Sequence, residues 1–277
     1  MDEPTDLTDA VERHYARGDL GRRILAILTA SGIDQRSLTL EDLAPLDQFH
    51  LGGKRATLEL IELAGIEAGW RVLDVGGGLG GSARLLAQRL RCQVTVLELT
   101  KEYMEVGAML CERLDLANRV HYRCDDALAM PFEDARFDAA WTQHSTMNIA
   151  DKDRLYEQLQ RVLRQHGRLA MHEIVAGTGG EVFFPTPWAD NAEQSFLLPQ
   201  AQLRSLIARH GFTELAWQDV TEQAREWFAR AAMLPAPPAS LPQLGLHLLV
   251  SPEAMRQQLR NLKEERIQVV RAVFERP

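Results

Sequence analysis

The chain has 277 residues, with 39 acidic against 31 basic side chains and a formal net charge of -8 at pH 7. This length allows one large domain or a core with an appended subdomain. The acidic balance, without any block of Lys or Arg, argues against a nucleic-acid or anionic-membrane surface, so a small-molecule partner is expected. No apolar run approaches the roughly 20 residues of a membrane span, and the acidic N-terminus lacks the apolar region of a signal peptide. We therefore expect cytoplasmic residence without membrane insertion.

The three cysteines, Cys92, Cys111 and Cys124, lie far apart and form no C-x-x-C pair. No histidine spacing complements them, so neither a disulfide framework nor a zinc site is indicated. We expect reduced thiols and no bound metal. The sequence does not decide the oligomeric state, and a homodimer stays open beside a monomer.

Residues 1–65 are predicted to be helical, because apolar side chains recur at helical spacing and each stretch stops at a glycine. Between these helices, residues 47–53 form a polar and aromatic segment that contains Gln48 and His50. Spacing alone leaves this segment open between a plain interhelical loop and part of a ligand site.

Residues 71–82 combine an apolar strand with a glycine-rich turn. Val72, Leu73 and Val75 form an apolar run of the parallel-strand type, and apolar residues recur at helical spacing after the turn. Glycines at a strand-to-helix joint let the chain turn tightly and let a ligand approach the main chain, which a Cβ atom would prevent. We predict a cofactor-binding loop here.

The glycine spacing fits two cofactor patterns. Gly76, Gly78 and Gly81 satisfy the G-x-G-x-x-G dinucleotide pattern, whereas Gly76, Gly78 and Gly80 satisfy G-x-G-x-G. Asp74 precedes the first glycine by two residues, where its charge would repel a pyrophosphate and would suit an ammonium or sulfonium group. The acid therefore favours a cationic cofactor over a dinucleotide.

From residue 70 to about residue 175, predicted strands and helices alternate with short connections, which indicates a parallel sheet with helices on both faces. The second strand ends near Glu98, where the carboxylate can accept two hydrogen bonds from the vicinal diol of a ribose. The third strand is followed by Asp125, Asp126 and Ala127 at the same edge.

The loop at residues 142–149 follows the predicted fourth strand, at the edge where open α/β sheets bind ligands. It gathers Gln143, His144 and Asn148 within six residues. This combination favours a functional site over a simple connection.

The next helix is predicted to end at Gly167, and the fifth strand to span residues 168–175. In that strand, His172 and Glu173 are open between a place in the site and a satisfied polar position in the core.

Residues 176–199 show no periodicity and are rich in aromatic residues and proline. A long irregular segment inside a compact domain is usually a lid or a binding segment. We therefore predict that Phe184 and Trp188 face the substrate, with core packing as the alternative for at least half of the aromatic side chains.

The C-terminal part is predicted to add a sixth strand at about 213–218, helices broken by a proline-rich connector at 235–242, and a seventh strand at 267–274. The inserted helices would then cover the sheet as a lid. The predicted organisation is a helical cap at 1–65, a cofactor-binding core at 66–220, and a lid with the final strand at 221–277.

These motifs occur in the order found in one enzyme family. Over residues 47–220, the chain resembles class I S-adenosylmethionine-dependent methyltransferases, in the branch of the sarcosine/dimethylglycine, tocopherol and quinone methyltransferases. The resemblance implies a seven-stranded Rossmann-like α/β sheet, an N-terminal helical cap and a helical insertion between strands six and seven. It rests on the Asp-x-Gly-x-Gly-x-Gly run from Asp74 to Gly80, on Glu98, on Asp126-Ala127, and on the runs Pro131–Asp138 and Arg161–Arg168.

The resemblance also implies residue roles. Asp126 would accept a hydrogen bond from the exocyclic amine of adenine and the Ala127 N–H would donate to a ring nitrogen, with Asp125 as a turn residue. S-adenosylmethionine would be the cofactor and S-adenosylhomocysteine the product, without a metal. The implied cofactor-binding residues are Asp74, Gly76, Gly78, Gly80, Glu98, Leu99, Asp126, Ala127, Gln143 and His50, and the acceptor-binding residues are Asn148, Phe184 and Trp188.

Two departures from the family pattern concern His166-Gly167, where Pro-Gly is usual, and Asn148, where a histidine often stands. The second leaves the acceptor atom open between nitrogen, oxygen and carbon.

Transfer of a methyl group from a sulfonium mainly needs in-line placement of the acceptor in a dry pocket. Where the acceptor must lose a proton, His144 is the candidate base, because its unperturbed pKa lies near neutrality. A neutral amine would need no base.

Two alternatives to a methyltransferase remain at this point. An NAD(P)-dependent oxidoreductase is favoured by G-x-G-x-x-G and Glu98, but disfavoured by Asp74 and by the adenine-type pair Asp126-Ala127. A non-catalytic binding protein of methyltransferase fold would bind the cofactor without turnover.

Overall fold

A computed structural model describes residues 14–15, 18–233 and 244–277. The proline-rich connector predicted at 235–242 lies outside these residues, as does much of the start of the predicted cap at 1–65.

One sheet of seven strands forms the centre of the fold. The strands are β1 (Arg71–Val75), β2 (Gln93–Glu98), β3 (Val120–Cys124), β4 (Phe137–Gln143), β5 (Leu163–Ala176), β6 (Thr213–Asp219) and β7 (Ile267–Glu275). Their order is β3-β2-β1-β4-β5-β7-β6. Strands β1 to β5 pair in parallel, and β7 is antiparallel to both β5 and β6. The seven-stranded α/β fold expected from the sequence is confirmed.

Helices cover both faces of this sheet. In the described part of the chain they are α1 (Leu20–Ala30), α2 (Leu40–Asp47), α3 (Gly53–Ala64), α4 (Gly81–Leu90), α5 (Lys101–Arg113), α6 (Lys152–Val162), α7 (Gln200–Arg209), α8 (Thr221–Met233) and α9 (Pro252–Lys263). Side chains of α3, α4 and α5 pack in the core on one face, and those of α6 and α7 pack in the core on the other.

Strand β1 shows why its sequence is apolar throughout. Leu73 and Val75 point into the core under α6 and α7, whereas Val72 points into the core under α3 and α4. A strand that is buried on both faces needs apolar residues at successive positions. The continuous apolar run in the sequence therefore identifies a central strand.

The junction between α6 and β5 differs from the prediction. Helix α6 ends at Val162 instead of Gly167, and β5 begins at Leu163 instead of Arg168. The pairing of β5 with β4 shifts register near its start, so that residues 164–167 form an irregular stretch inside the strand. The glycine that suggests a helix end therefore marks a strand irregularity of the kind that bulges produce.

The cap has an apolar cluster of its own. Helices α1 and α2 pack with side chains of α5 and with residues 248–250. Helices α8 and α9 form the insertion between β6 and β7 and pack against β7. Every helix in the described residues is too short or too polar to cross a membrane.

A buried ion pair joins the cap to the glycine loop. Asp47 Oδ2 accepts a hydrogen bond from Arg84 Nη2 at 2.6 Å, and the two side chains are 2% and 0% exposed. Arg84 also donates to the carbonyl oxygen of Leu79 at 2.6 Å, inside the loop. Gly81 permits this approach, because a Cβ atom there would lie 2.2 Å from the Asp47 carbonyl oxygen. The first residue of α4 therefore touches the last residue of α2 directly.

The substitution Asp47→Asn tests this connection. It leaves the buried Arg84 without a counter-charge, and we expect the free energy of unfolding to fall by about 3 to 5 kcal/mol. Urea denaturation measures the difference. Glu157→Gln is the control, because its exposed ion pair with Arg154 should contribute at most about 1 kcal/mol. Equal stability of the two variants would contradict the role given to the buried pair.

Candidate active site

A cavity of about 470 Å³, called the main cavity below, opens at the carboxyl edge of the sheet. Its position is the one at which open α/β sheets bind ligands, and its volume lies in the range of small-molecule sites. Residues of α2 and of the segment that follows it line the cavity on the cap side. The ends of β1, β2, β3 and β4 and the loops after them supply residues 76–79, 97–100, 125–128 and 143–145 to its wall.

Glycines make the wall after β1 free of side chains. The backbone at Gly76 and Gly78 has φ angles of 67° and 56°, in the left-handed region that glycine adopts without strain. A Cβ atom on Gly76 would also lie 2.5 Å from Ser145 Cβ, in the loop after β4. Main-chain atoms of the loop can therefore contact a ligand directly.

Glu98 holds the glycine loop in place. Its Oε2 accepts a hydrogen bond from the Gly78 N–H at 2.8 Å, and its Oε1 accepts one from the Thr100 N–H at 2.8 Å. Burial raises the pKa of this carboxyl, while hydrogen bonds from Thr100, Gly78 and Leu99 act in the opposite direction. Glu98 therefore orients the loop from the wall of the main cavity, and ribose recognition by its carboxylate stays a prediction.

The residues after β3 lie where the sequence places them. Asp125, Asp126 and Ala127 all line the main cavity. Asp126 Oδ1 accepts a hydrogen bond from the Leu128 N–H at 2.8 Å, which caps a short 3₁₀ turn. Asp125 is paired with Arg123 at 2.5 Å. This pairing agrees with a turn role for Asp125, and adenine recognition by Asp126 and Ala127 stays a prediction.

Asp74 and Gly80 lie behind the loop and do not line the main cavity. Asp74 Oδ2 lies 2.7 Å from the place of a Cβ atom on Gly77, so the carboxyl group packs against the underside of the loop. A Cβ atom on Gly80 would lie 1.9 Å from the Tyr122 hydroxyl, so this glycine is needed for packing. A side chain inside a strand points to a face of the sheet and not to its edge. Both residues therefore support the loop from behind, and the cofactor contacts predicted for them stay predictions.

The environment of Asp74 is unfavourable for a charge. Burial, and then the nearby charge of Glu98, raise the pKa of Asp74 to about 7. The sequence alone suggests a negative charge beside a cation, whereas burial in the structure favours the neutral form of this carboxyl.

Three histidines lie together beside the main cavity. The ring centroid of His144 is 5.0 Å from that of His172 and 6.1 Å from that of His50. Burial lowers the pKa of all three, that of His50 to about 4, so the rings are uncharged at neutral pH. Within the described residues, neither this cluster nor any other group of three His, Cys, Asp or Glu side chains is arranged to hold a metal ion.

His144 has the geometry of a reactive residue. It lines the main cavity, and its buried Nε2 has no hydrogen-bond partner among the described residues. Its φ angle of 52° is uncommon for a residue other than glycine, and its N–H donates to the His172 carbonyl oxygen at 2.8 Å. The strained backbone is thus held by β5, and one imidazole nitrogen is buried without a partner in the described part of the chain.

Gln143 lines the main cavity, but its amide group is already hydrogen-bonded to neighbouring side chains. Its Oε1 accepts hydrogen bonds from Ser82 Oγ at 2.8 Å, Trp141 Nε1 at 3.1 Å and Thr57 Oγ1 at 3.3 Å. Its Nε2 lies 3.3 Å from His172 Nδ1. The amide oxygen has no lone pair left for a ligand. Gln143 therefore positions its neighbours, and direct cofactor contact stays a prediction.

Asn148 connects the cap to the aromatic segment. Its Oδ1 accepts a hydrogen bond from the Tyr15 hydroxyl at 3.1 Å. Its Nδ2 donates to the carbonyl oxygens of Trp188 at 2.6 Å and Gln194 at 3.2 Å. The side chain lies on the wall of the main cavity with its polar atoms already paired, so acceptor binding by Asn148 stays a prediction.

A second, smaller space adjoins the main cavity and is called the apolar lobe below. It has a volume of about 30 Å³ and shares the side chains of Tyr15, Phe49, His50 and His144 with the main cavity. Its other walls include Met147, Ile174, Trp188, Trp227, Leu246 and Met255.

The two aromatic residues predicted to face the substrate differ in their positions. Trp188 lines the apolar lobe. Phe184 lines neither this lobe nor the main cavity and packs against an apolar cluster at β7 and α8. Phe184 therefore packs in the core, which is the alternative that the sequence analysis gives for part of the aromatic segment.

Several residues of the site had no assigned role in the sequence analysis. Ser82 could have been found, since it directly follows the glycine loop. Tyr15 and Thr57 reach the site from the cap, and nothing local in the sequence indicates this. Lys152 donates to the Thr146 carbonyl oxygen at 2.7 Å and so supports the turn after His144, but in sequence it resembles any helix-start lysine.

The comparisons with known proteins agree with this geometry. Residues 73–171 match the family described as a methyltransferase domain. Methyltransferase GfsG from Streptomyces halstedii is 32% identical over 212 residues, which are 74% of each chain.

Two solved structures share the fold over almost the whole chain. The [4+2]-cyclase SpnF has a TM-score of 0.67 at 22% identity and covers 98% of this chain and 96% of its own. Geranyl diphosphate C-methyltransferase from Streptomyces coelicolor A3(2), in complex with Mg²⁺, geranyl diphosphate and S-adenosyl-L-homocysteine, has a TM-score of 0.70 at 16% identity. It covers 99% of this chain and 100% of its own.

The chain therefore belongs to the class I S-adenosylmethionine-dependent methyltransferases. It is an enzyme that transfers the methyl group to a small-molecule acceptor. The oxidoreductase and the non-catalytic alternatives are set aside by this membership.

The main cavity fits the cofactor of this family. The wall at residues 76–78 carries no side chain, and Cβ atoms on Gly76 and Gly77 would meet neighbouring atoms at under 3 Å. Glu98 lines the cavity at the end of β2, and Asp126 lines it just after β3. Contacts of these two carboxylates with the ribose and adenine parts of S-adenosylmethionine stay predictions.

The substitutions Glu98→Ala and Asp126→Ala test this arrangement. We expect each to weaken S-adenosylhomocysteine binding by about 1.5 to 3 kcal/mol, the range for a hydrogen bond to a charged group. Titration calorimetry measures the affinity and thermal melting checks the fold. Asp134→Ala is the control, since Asp134 pairs with Arg161 at the surface and lines no part of the cavity. Unchanged affinity in both site variants would refute the assignment.

The substitution Asp74→Asn tests the buried carboxyl through pH. The folded pKa of Asp74 is raised from an ordinary value of 3.8 to about 7, so protonation stabilises the fold at low pH and this contribution disappears as pH rises towards 7. Asn stays neutral. Relative to Asp74→Asn, the ligand-free wild type should lose on the order of 2 kcal/mol between pH 5 and pH 7 and then level off. Urea denaturation at four pH values checks this, and a constant difference between the two proteins would exclude a raised pKa.

Proposed function

We propose that this methyltransferase methylates a hydroxyl oxygen and that His144 is the base that accepts the hydroxyl proton. The observation that carries the proposal is His144, which lines both the main cavity and the apolar lobe and whose buried Nε2 has no hydrogen-bond partner among the described residues. A side chain in this position is next to any group that approaches the cofactor from the lobe.

The chain's own residues bind and orient the reactants. When bound, S-adenosylmethionine supplies a methyl group that is already activated on a sulfonium. The main chain at residues 76–78 and the carboxylates of Glu98 and Asp126 hold the cofactor. Tyr15 and Phe49, from the cap side, cover the place where the two spaces meet and exclude water. Placement in a dry site supplies most of the rate enhancement expected for such a transfer.

The protonation state of His144 supports the role of a base. Because burial lowers its pKa well below 6.5, the ring keeps its lone pair at neutral pH. His50, itself uncharged, is the nearest ring on the cap side, and His172 holds the His144 main chain. The ionisation near neutrality that the sequence suggested is thereby moved to more acidic pH.

Several finer predictions accompany this proposal. Transfer without a metal, cytoplasmic residence and the choice between monomer and homodimer stay predictions from the sequence. So does the division into a cap at 1–65, a core at 66–220 and a lid with the final strand at 221–277.

The substitution His144→Gln tests the base. We expect kcat/KM to fall by roughly 10²- to 10⁴-fold, the usual contribution of a general base. In the wild type, activity should be lost as pH falls through a value below 6.5, because the ring must be neutral to accept a proton. This acid limb should disappear in the variant.

A pH series of kcat/KM on both proteins, with S-adenosylhomocysteine affinity as a check, makes the measurement. His121→Gln, at an exposed position on β3, is the control. The same acid limb in wild type and His144→Gln, or a product methylated on nitrogen or carbon, would overturn the proposal.

A further inference from the structure

The apolar lobe is placed to hold the body of the acceptor. It meets the main cavity at Tyr15, Phe49, His50 and His144, so a molecule in the lobe faces the same side chains as the cofactor half of the site. Its remaining walls come from Leu51 before α3, the segment after β4, Ile174 of β5, the aromatic segment and the insertion between β6 and β7.

The walls of the apolar lobe carry no charge. Within the described residues, none of its lining side chains is an Asp, Glu, Lys or Arg, and the carboxylates of the main cavity do not reach it. Burial lowers the pKa of His50 and His144 and raises that of Tyr15, so these groups are neutral as well. A charged ligand placed here would lose its hydration without gaining a counter-charge, which is strongly unfavourable.

The side chains that line the lobe favour a flat apolar group. Trp188, which is 1% exposed, and Trp227 present indole rings, which offer large apolar surfaces for ring or conjugated systems. Met147 and Met255 line the same space. Unbranched thioether side chains repack easily, so they can widen a lobe of about 30 Å³ around a larger ligand.

We infer that the acceptor is an uncharged, largely apolar molecule, whose ring or conjugated body lies in the apolar lobe with its hydroxyl group towards His144. This inference rests on the proposed function and names its substrate class. Amino acids, phosphorylated bases and diphosphates are excluded as acceptors, since each would bring a charge into this space.

Three probes with one ring system and different charges test the inference. 1-Naphthol is neutral at pH 7, 1-naphthoate is an anion and 1-naphthylmethylammonium is a cation. With S-adenosylhomocysteine present, we expect the naphthol to bind at least roughly tenfold more tightly than either ion, because only the ions lose hydration without compensation. Quenching of tryptophan fluorescence, calibrated by calorimetry, measures each affinity.

A charge placed in the wall should reverse this preference. Met255 is half-buried on α9, and a lysine of similar length at this position puts an ammonium group beside the lobe. In Met255→Lys we expect weaker binding of naphthol and stronger binding of naphthoate, each by roughly tenfold. Met104→Lys, on α5 and away from both spaces, is the matched control and should leave all three affinities unchanged.

The outcomes separate this inference from the proposed function. An ion that binds as tightly as naphthol, no detectable binding of any probe, or affinities in Met255→Lys equal to those of the wild type would each overturn the inference. None of these measurements requires turnover. Failure of His144→Gln to alter the pH profile would instead overturn the proposed base and leave the binding results standing.

Discussion

The glycine-rich turn after β1 lies directly against the loop after β4 and against the end of α2, and the remaining parts of the site are arranged around these contacts. A Cβ atom at Gly76 would strike Ser145 in the loop after β4, and one at Gly81 would strike the Asp47 carbonyl at the end of α2. Any side chain at either place would push the loop after β4 or the cap away from the turn. The buried pair of Arg84 and Asp47 then holds the cap at this short distance. The main cavity therefore exists only when turn, cap and β4 loop are packed together.

The sequence predicted the sheet and its active edge because both depend on local patterns. Strands buried on two faces appear in the sequence as apolar runs. Residues at or just after the ends of these strands, such as Glu98, Asp126 and His144, lie at the carboxyl edge of the sheet, and this does not depend on the rest of the chain. The start of β5 could not be predicted, because the irregular stretch between its first pair with β4, at Leu163, and the next one, at Arg168, looks in sequence like the end of a helix. The position of Asp74 behind the loop could not be predicted for a related reason, since the face of the sheet to which a strand residue points depends on how the strand is placed in the fold.

The roles of polar residues were harder to predict than their positions. Gln143 and Asn148 lie on the wall of the main cavity as expected, but their amides are paired with Thr57, Ser82 and Tyr15, which are distant in sequence. A side chain's free hydrogen-bonding capacity is decided by such distant partners. The pKa of His144 follows the same rule, because burial beneath the cap sets it and not the residue type.

The two halves of the site come from different segments of the chain, and this affects how the enzyme can diversify. The cofactor half is built from the loops that end β1 to β4, whereas Trp227 and Met255 belong to α8 and α9, in the connection that joins β6 to β7. Such a connection can gain, lose or exchange residues while the pairing of the strands that it joins is unchanged. A change in this one segment can thus give a new acceptor preference, while the residues that bind the methyl donor stay the same.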